Sequence, residues 1–415
     1  MQLLLGECVE RMGDLADCSV DAVVTDPPYG ISFMGKHWDR FDIERRVGKR
    51  DVSKLGVRLT GSADTANRKV SARTASAFAN PAGEAGGYDF SLTGNRRFQE
   101  WCEQWGAETL RVLKPGGYMV VFGGRRTYHR LVAGLEDAGF EIRDQLVWLF
   151  GQGFPKNRDL GGGRGTALKP GMEPIVLVRK PFTGSLAATV AEHGTGGLNL
   201  EACAIPITDV ETYAKNCSGD RGHEGTRELD ERGATDMRMG GGSARDARWP
   251  ANVLLDDAAA AMLDEQTGTL VSGANPTRRA GDKSREVYGA FAGQDEVEPR
   301  RGADSGGASR FFYCAKVSQE ERNAGLGEPS LFAQDVPERN DHPTVKPLAL
   351  MRWLVRLVTP PHALVLDPFM GSGTTGCAAV LEGREFVGVE EDERSMRIAE
   401  ARITYWSARP LEAAA

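Results

Sequence analysis

Val365-Leu366-Asp367-Pro368-Phe369-Met370-Gly371-Ser372-Gly373-Thr374-Thr375-Gly376 reads as an apolar strand, a glycine loop and the start of a helix. Gly371, Gly373 and Gly376 satisfy G-x-G-x-x-G, a spacing that lets backbone approach a ligand closely. Taken alone, it fits a dinucleotide as well as any other nucleoside cofactor. Phe386-Val387-Gly388-Val389 is the next apolar strand, and Glu390 stands at its end. An acid in that place can accept both ribose hydroxyls of a nucleoside. No lysine follows the glycines, so the phosphate loop G-x-x-x-x-G-K-[ST] is absent. A strand, a glycine turn, a helix and a second strand make a parallel α/β unit.

Outward from this unit the same alternation continues. Leu348–Val358 and Glu393–Ile403 read as flanking helices, Ala363–Leu366 as the strand and Ser372–Leu381 as the helix after the loop. Towards the N-terminus, strands are expected at Gln2–Leu5, Ala22–Thr25, Tyr118–Phe122, Glu141–Phe150 and Pro174–Val178, with helices over Val9–Leu15, Arg97–Leu113 and Arg126–Ala138. Lys114-Pro115-Gly116-Gly117 reads as a helix stop and turn. Trp101 and Trp105, at helical spacing, are expected in the core. Residues 181–310 are rich in Gly, Ser, Arg and Asp with short apolar islands, a separate loop-heavy module or insertion. Arg310–Ala315 reads as a core strand, with Phe311-Phe312-Tyr313 the less favoured candidate for a base-stacking platform.

The second informative stretch is Asp26-Pro27-Pro28-Tyr29, which follows the apolar run Ala22-Val23-Val24. The acid sits at the carboxyl end of a strand, where open α/β sheets bind ligands. The prolines stiffen the loop and leave nearby carbonyls without ladder partners. The tyrosine offers a flat face. Together they suit an amino group on a planar ring, that is, a nucleobase. Lys36-His37-Trp38-Asp39 could line a base pocket or form a loop anchored by a buried Trp38.

The chain has 415 residues, enough for one large domain with insertions or two to three domains. It carries a net charge of −7, yet residues 40–97 hold twelve lysines and arginines against six acids. That segment reads either as a phosphate-contacting loop or as a solvated one. The seven cysteines show no C-x-x-C spacing, and the six histidines are scattered. Neither pattern suggests a metal site, a disulfide framework or a triad. No apolar run approaches a membrane span, and the N-terminus turns acidic too soon for a secretory signal, so a cytoplasmic location is expected. Residues 411–415 read as the remnant of a cloned tag.

These segments resemble the amino-methyltransferases of DNA, which use S-adenosyl-L-methionine to methylate adenine N6 or cytosine N4. Asp26-Pro27-Pro28-Tyr29 matches the family's catalytic tetrapeptide, and Phe369-x-Gly371-x-Gly373 its cofactor loop. His342-Pro343-Thr344-Val345-Lys346-Pro347 resembles its Thr-x-Lys-Pro segment, and Gly6-Glu7 its Gly-Asp pair beside the cofactor adenine, with Glu in place of Asp. The tetrapeptide precedes the cofactor loop, as in the permuted β group. The resemblance implies a Rossmann-like, seven-stranded sheet, mostly parallel with one antiparallel edge strand, and Gln2–Leu5 beside the strand carrying Glu390. It also implies a loop-rich target-recognition region between the motifs.

On this reading residues 1–39, 98–180 and 311–410 form the catalytic domain, 40–97 a basic loop with DNA contacts, and 181–310 the target-recognition region. Asp26, Pro27, Pro28 and Tyr29 are the implied catalytic residues. Glu7, Thr344, Lys346, Asp367, Phe369, Gly371, Ser372, Gly373, Thr374 and Glu390 are the implied cofactor contacts, with Thr344 and Lys346 closing one side of the pocket and Asp367 either ordering the loop or meeting the cofactor's amino group. The implied partner is duplex DNA with a flipped base. A homodimer is a family expectation, and a solitary role and pairing with a restriction enzyme both stay open. Adenine N6 is the favoured target because cytosine N4 enzymes more often resemble SPPY. A catalytically silent DNA-binding module is the alternative of another class. Cytosine C5 chemistry is disfavoured, since no proline precedes a cysteine.

Overall fold

The structure is a computed structural model. It describes residues 1–30, 92–153, 159–207, 247–271, 305–316, 318, 320–327 and 337–409. The expectations for Lys36–Asp39, most of the basic 40–97 segment and residues 411–415 lie outside the described residues.

The chain divides into two compact units. The first comprises Met1–Leu149, Gly171–Asn199 and Ala315–Ala415, and the second Phe150–Pro170 and Leu200–Cys314. The insertion therefore departs from the expected 181–310. Residues 181–199 pack in the first unit, where Thr195 Oγ1 donates to the Pro115 carbonyl at 2.6 Å. Residues 150–170 belong to the second.

In chain order the first unit contains β1 (Gln2–Leu5), α1 (Cys8–Met12), β2 (Val20–Thr25), α2 (Leu92–Val112), β3 (Leu113–Phe122), α3 (Tyr128–Asp137), β4 (Glu141–Leu149), β5 (Met172–Arg179), α4 (Leu186–His193), α5 (Leu348–Val358), β6 (Leu364–Asp367), α6 (Thr374–Leu381), β7 (Glu385–Glu390) and α7 (Glu393–Ser407). Its seven strands lie in the order β1-β7-β6-β2-β3-β5-β4. Pairing is parallel from β1 across to β3. β5 runs antiparallel to both β3 and β4.

The antiparallel strand thus lies between β3 and β4 rather than at the edge. The side chains give the reason. Ile175, Val176, Leu177 and Val178 of β5 are at most 3% exposed, a continuous apolar run suited to cover on both faces. β4 reads Glu-Ile-Arg-Asp-Gln over its first half, largely exposed, and follows β5 as the last strand of this unit.

β2 is buried along its whole length, as a central parallel strand should be. One sheet face packs on α1, α2 and α3 through Met12, Phe98, Cys102, Trp105, Leu131 and Leu135. Trp105 is fully buried, as its helical spacing predicted. On α5, eight of eleven residues are buried. Asp21 ties three strand starts together. It accepts from Lys114 Nζ at 2.5 Å and from Leu364 N at 2.7 Å, so a buried carboxylate is paired on both oxygens. Lys114-Pro115-Gly116-Gly117 lies within β3, where the register against β2 shifts, and not in a turn before it.

In the second unit, Val253–Asp256 forms a strand that leads into the helix Asp257–Thr267. Asp256 caps that helix by accepting from Ala259 N at 2.6 Å. The strand expected over Arg310–Ala315 is shorter: a 3-10 turn occupies Ala308–Phe311, and only Tyr313–Ala315 is extended. Arg310 anchors that turn by donating to the carbonyls of Gly306 and Gly307 at 2.8 and 2.7 Å. This leaves Phe311 38% exposed under the Arg310 guanidinium rather than in a core.

Candidate active site

β6 continues through α6 to β7 on one side of the sheet, while β2 leads on to β3 on the other. The switch between β6 and β2 opens a crevice at the carboxyl ends of the strands, the usual ligand position in such sheets. Here it is a cavity of about 300 Å³. Its walls bring together residues from both ends of the chain: Gly6, Glu7, Asp26, Pro28, Trp101, His342, Thr344, Lys346, Asp367, Phe369, Gly371, Ser372, Thr374 and Glu390.

Asp367 joins the two motifs. It is 2% exposed and accepts from Thr25 Oγ1 and Thr375 Oγ1, each at 2.6 Å, and from Phe369 N at 3.1 Å. Thr25 immediately precedes the Asp-Pro-Pro-Tyr stretch and Thr375 lies in the first turn of α6. One carboxylate therefore fixes the tetrapeptide against the glycine loop. Burial pushes the Asp367 carboxyl up to about 6 against the three donors. These three bonds make Asp367 a brace that orders the loop.

The glycine loop turns through left-handed backbone at Gly371 (φ +54°) and Gly373 (φ +80°). A side chain at Gly373 would meet Ala399 Cα and Cβ at 2.8 Å. Glu390 accepts from Gly371 N at 2.7 Å and from Asp392 N at 2.8 Å, tying the loop to the end of β7. Burial, with Asp392 and Asp367 adding to it, raises the Glu390 carboxyl to about 7. Glu7 caps α1, accepting from Glu10 N at 3.0 Å, and stands exposed at the rim. Gly6 N donates to the Glu390 carbonyl at 2.9 Å, so Glu7, just past the end of β1, lies near Glu390 at the end of β7. Phe369 packs against Trp101 and Trp105 at centroid distances of 5.5 and 5.3 Å.

At the other end of the cavity a polar cluster surrounds the tetrapeptide. Lys346 Nζ donates to Asp26 Oδ2 at 2.7 Å, and lies 3.3 Å from both Glu173 Oε1 and the Tyr29 hydroxyl. The Tyr29 hydroxyl lies 2.7 Å from Asp26 Oδ1 and also reaches Glu173. Burial depresses the Lys346 ammonium, but Asp26 and Glu173 outweigh it, and the net shift is upward. Burial, then Asp26 and Glu173, hold the Tyr29 phenol well above its usual range. Lys346 was expected to close the cofactor side of the pocket. It lines the cavity, but its head group lies in the tetrapeptide cluster. Pro27 is buried and Gly373 shapes the loop; neither lines the cavity.

Several site residues escaped the sequence reading. Trp101 sits on the helical stripe expected in the core, yet it is half-buried and lines the cavity. Arg402 of α7 is 1% exposed and donates to the Ser372 carbonyl at 2.6 Å and to Ser372 Oγ and Thr374 Oγ1 at 3.2 Å each. His342 lies against Gly371, and burial, then the nearby Lys346, lowers its imidazole to about 4, so it is neutral. Glu173, at the start of β5, carried no motif at all.

The donor set fits S-adenosyl-L-methionine. Two acids sit at one end, aromatic rings on one wall, and a glycine loop with backbone close to the cavity beneath, while Asp26 and Pro28 of the tetrapeptide face the same space. Among the described residues no group of His, Cys, Asp or Glu has the geometry to hold a metal ion, and no helix is long and apolar enough to cross a membrane.

A family model described as DNA methylase (N6_N4_Mtase) matches residues 20–401. The type II methyltransferase M.HindIII of Haemophilus influenzae is 23% identical over 403 residues, covering 93% of this chain and 89% of that protein. The type II methyltransferase M2.LlaDCHI of Lactococcus lactis is 39% identical over 100 residues, covering 23% of this chain and 37% of that protein. Among solved structures, the M1.HpyAVI–SAM complex aligns over 97% of this chain and 98% of its own with 16% identity and a TM-score of 0.38. From the match across nearly its whole length, this chain belongs to the N6/N4 amino-methyltransferase family of DNA methylases, whose methyl donor is S-adenosyl-L-methionine.

Proposed function

We propose that this enzyme methylates N6 of adenine in duplex DNA by direct displacement, on a base turned out of the helix into the cavity beside Asp26. The observation that carries the reading is the position of Asp26, at the end of a central strand and on the wall of the same cavity as the glycine loop.

Glu390 and Glu7 would hold the cofactor ribose and adenosine end, Trp101 and Phe369 would flank the adenine, and Thr344 with the loop Gly371–Thr374 would take the methionine end. Bound there, the cofactor supplies a methyl group already activated on a sulfonium sulfur. The remaining chemistry falls to the protein. The adenine amino lone pair is delocalised into the ring, so the nitrogen is a poor nucleophile. The Asp26 carboxylate and the Pro27 carbonyl accept its two N–H bonds, drawing the nitrogen towards tetrahedral geometry and stabilising the positive charge that grows on it. Holding the base in line with the methyl group supplies much of the rest. A base inside a duplex cannot reach this crevice, so it must flip, and the Tyr29 ring serves as its platform. Asp26 in the first position of the tetrapeptide favours adenine. The second unit reads the target sequence, and the basic 40–97 segment contacts phosphates.

The test is transfer of tritiated methyl groups to unmethylated duplex DNA, followed by nucleoside mass spectrometry. N6-methyladenine is expected. N4-methylcytosine would retain the chemistry and replace the base. No methylated nucleoside from a protein that binds the cofactor would refute the reading.

A further inference from the structure

The cluster at the tetrapeptide poses an electrostatic problem. Methyl transfer builds positive charge on the amino nitrogen next to Asp26, yet Asp26 is already paired with an ammonium. Lys346 Nζ lies 2.7 Å from Asp26 Oδ2, with its side chain 8% exposed. A buried Asp26–Lys346 pair alone is neutral, and a neutral pair offers little to a developing cation. It would also set Lys346 close to the same nitrogen as a competing positive charge.

Glu173 supplies the missing charge. It comes from β5, two strands away from the tetrapeptide strand in the sheet. Its Oε1 lies 3.3 Å from Lys346 Nζ, and its side chain is 17% exposed, as is that of Asp26. Its other partner is the Tyr29 hydroxyl. The ammonium is further held against the Phe122 ring at 4.7 Å, which fixes it between the two carboxylates.

We propose that Glu173 is a positioning residue for the methyl transfer: it shares the Lys346 ammonium and the Tyr29 hydroxyl, so that the trio Asp26, Glu173 and Lys346 carries a net negative charge towards the reacting amino group. Two consequences follow from the same contacts. The Asp26 carboxylate is held at Oδ2 by Lys346, while the single Tyr29 hydroxyl proton is shared between Asp26 Oδ1 and Glu173, and each Asp26 oxygen retains a lone pair for the substrate. The field at the nitrogen is set by the balance of three side chains rather than by Asp26 alone. The inference rests on amino-group methylation and holds for either base.

The test is a charge-balance cycle in the full-length protein. Single-turnover methyl transfer to duplex DNA is measured at saturating cofactor, with cofactor binding measured separately by calorimetry. Glu173→Gln keeps the shape and removes the charge, leaving a neutral Asp26–Lys346 pair. The rate should fall about ten- to a hundredfold, as expected for losing one unit charge several ångströms from the reacting atom in a site of intermediate dielectric. Cofactor affinity should change little. Glu173→Gln/Lys346→Met restores the net charge of the wild-type trio, and its rate should recover about fivefold or more over the single variant.

A purely structural role predicts the opposite, because the double variant also loses the Lys346 contacts and should be slower still. A double variant slower than Glu173→Gln, a Glu173→Gln rate equal to wild type, or a Glu173→Gln protein that has lost cofactor binding would each overturn the proposal. Wild-type protein that binds cofactor but methylates no DNA amino group would instead count against the underlying activity.

Discussion

Replacing Asp367 by Asn should stabilise the fold, and by more at alkaline pH than at acid pH. Burial raises the Asp367 carboxyl from 3.8 to about 6. The folded state therefore binds the proton more tightly than the unfolded chain, and stability is lost as the pH rises from about 4 to beyond 6. At 1.36 kcal/mol for each pH unit between the two values, ionised Asp367 costs the fold about 3 kcal/mol at pH 8 and about 2 kcal/mol at pH 5. Asn is nearly isosteric. Its carbonyl can keep the bonds from Thr25 and Phe369 N, and its amide can donate to a rotated Thr375 hydroxyl in place of the bond now received from it. Weaker neutral hydrogen bonds return roughly 1 kcal/mol of the gain at every pH. The difference between the two pH values cancels that constant, and it also cancels Glu390, which titrates in both proteins apart from its interaction with Asp367. Urea unfolding of the two proteins at pH 8 and pH 5 is the assay. The advantage of Asp367→Asn should shrink by about 1 kcal/mol from pH 8 to pH 5. An advantage that is equal at both pH values, or that grows on acidification, would mean that burial does not raise the Asp367 carboxyl.

Other perturbations follow from the loop and its braces. Gly373→Ala forces a side chain into left-handed backbone and to within 2.8 Å of Ala399, so it should destabilise by about 2–4 kcal/mol in urea unfolding. Arg402→Met leaves the Ser372 carbonyl and hydroxyl without their buried donor; cofactor affinity should fall about tenfold by calorimetry. Cofactor affinity in the wild type should rise with pH through about 7, where Glu390 ionises, and then level off. Glu390→Gln should bind more weakly and lose that dependence.

What the sequence disclosed about this protein depended on how local the signal was. The strand, glycine turn and helix around Gly371–Gly376 are written in consecutive residues, as is the apolar strand running into Asp26. Both lie where their patterns put them, and Gln2–Leu5 pairs with the strand carrying Glu390. Contacts across the chain left no such trace. Lys346 and Asp26 are 320 residues apart and Tyr29 and Glu173 are 144 apart, and an ion pair between distant residues imposes no periodicity on either segment. Arg402 is polar within an amphipathic helix, a pattern that normally marks the solvent side, yet it points beneath the glycine loop. Trp101 shows the converse. Helical spacing identifies which face is apolar, but it does not distinguish a residue packed in the core from one that lines a cavity beside it. The antiparallel strand was placed at the edge by resemblance, whereas its own unbroken apolar run, Ile175–Val178, already argued for an interior position.

The most direct test of the account is a paired measurement on wild-type protein and Asp26→Ala. Cofactor binding is followed by calorimetry, and methyl transfer to unmethylated duplex DNA by tritium incorporation. The account predicts that both proteins bind S-adenosyl-L-methionine with similar affinity while only the wild type transfers the methyl group. Undiminished transfer by Asp26→Ala would contradict it.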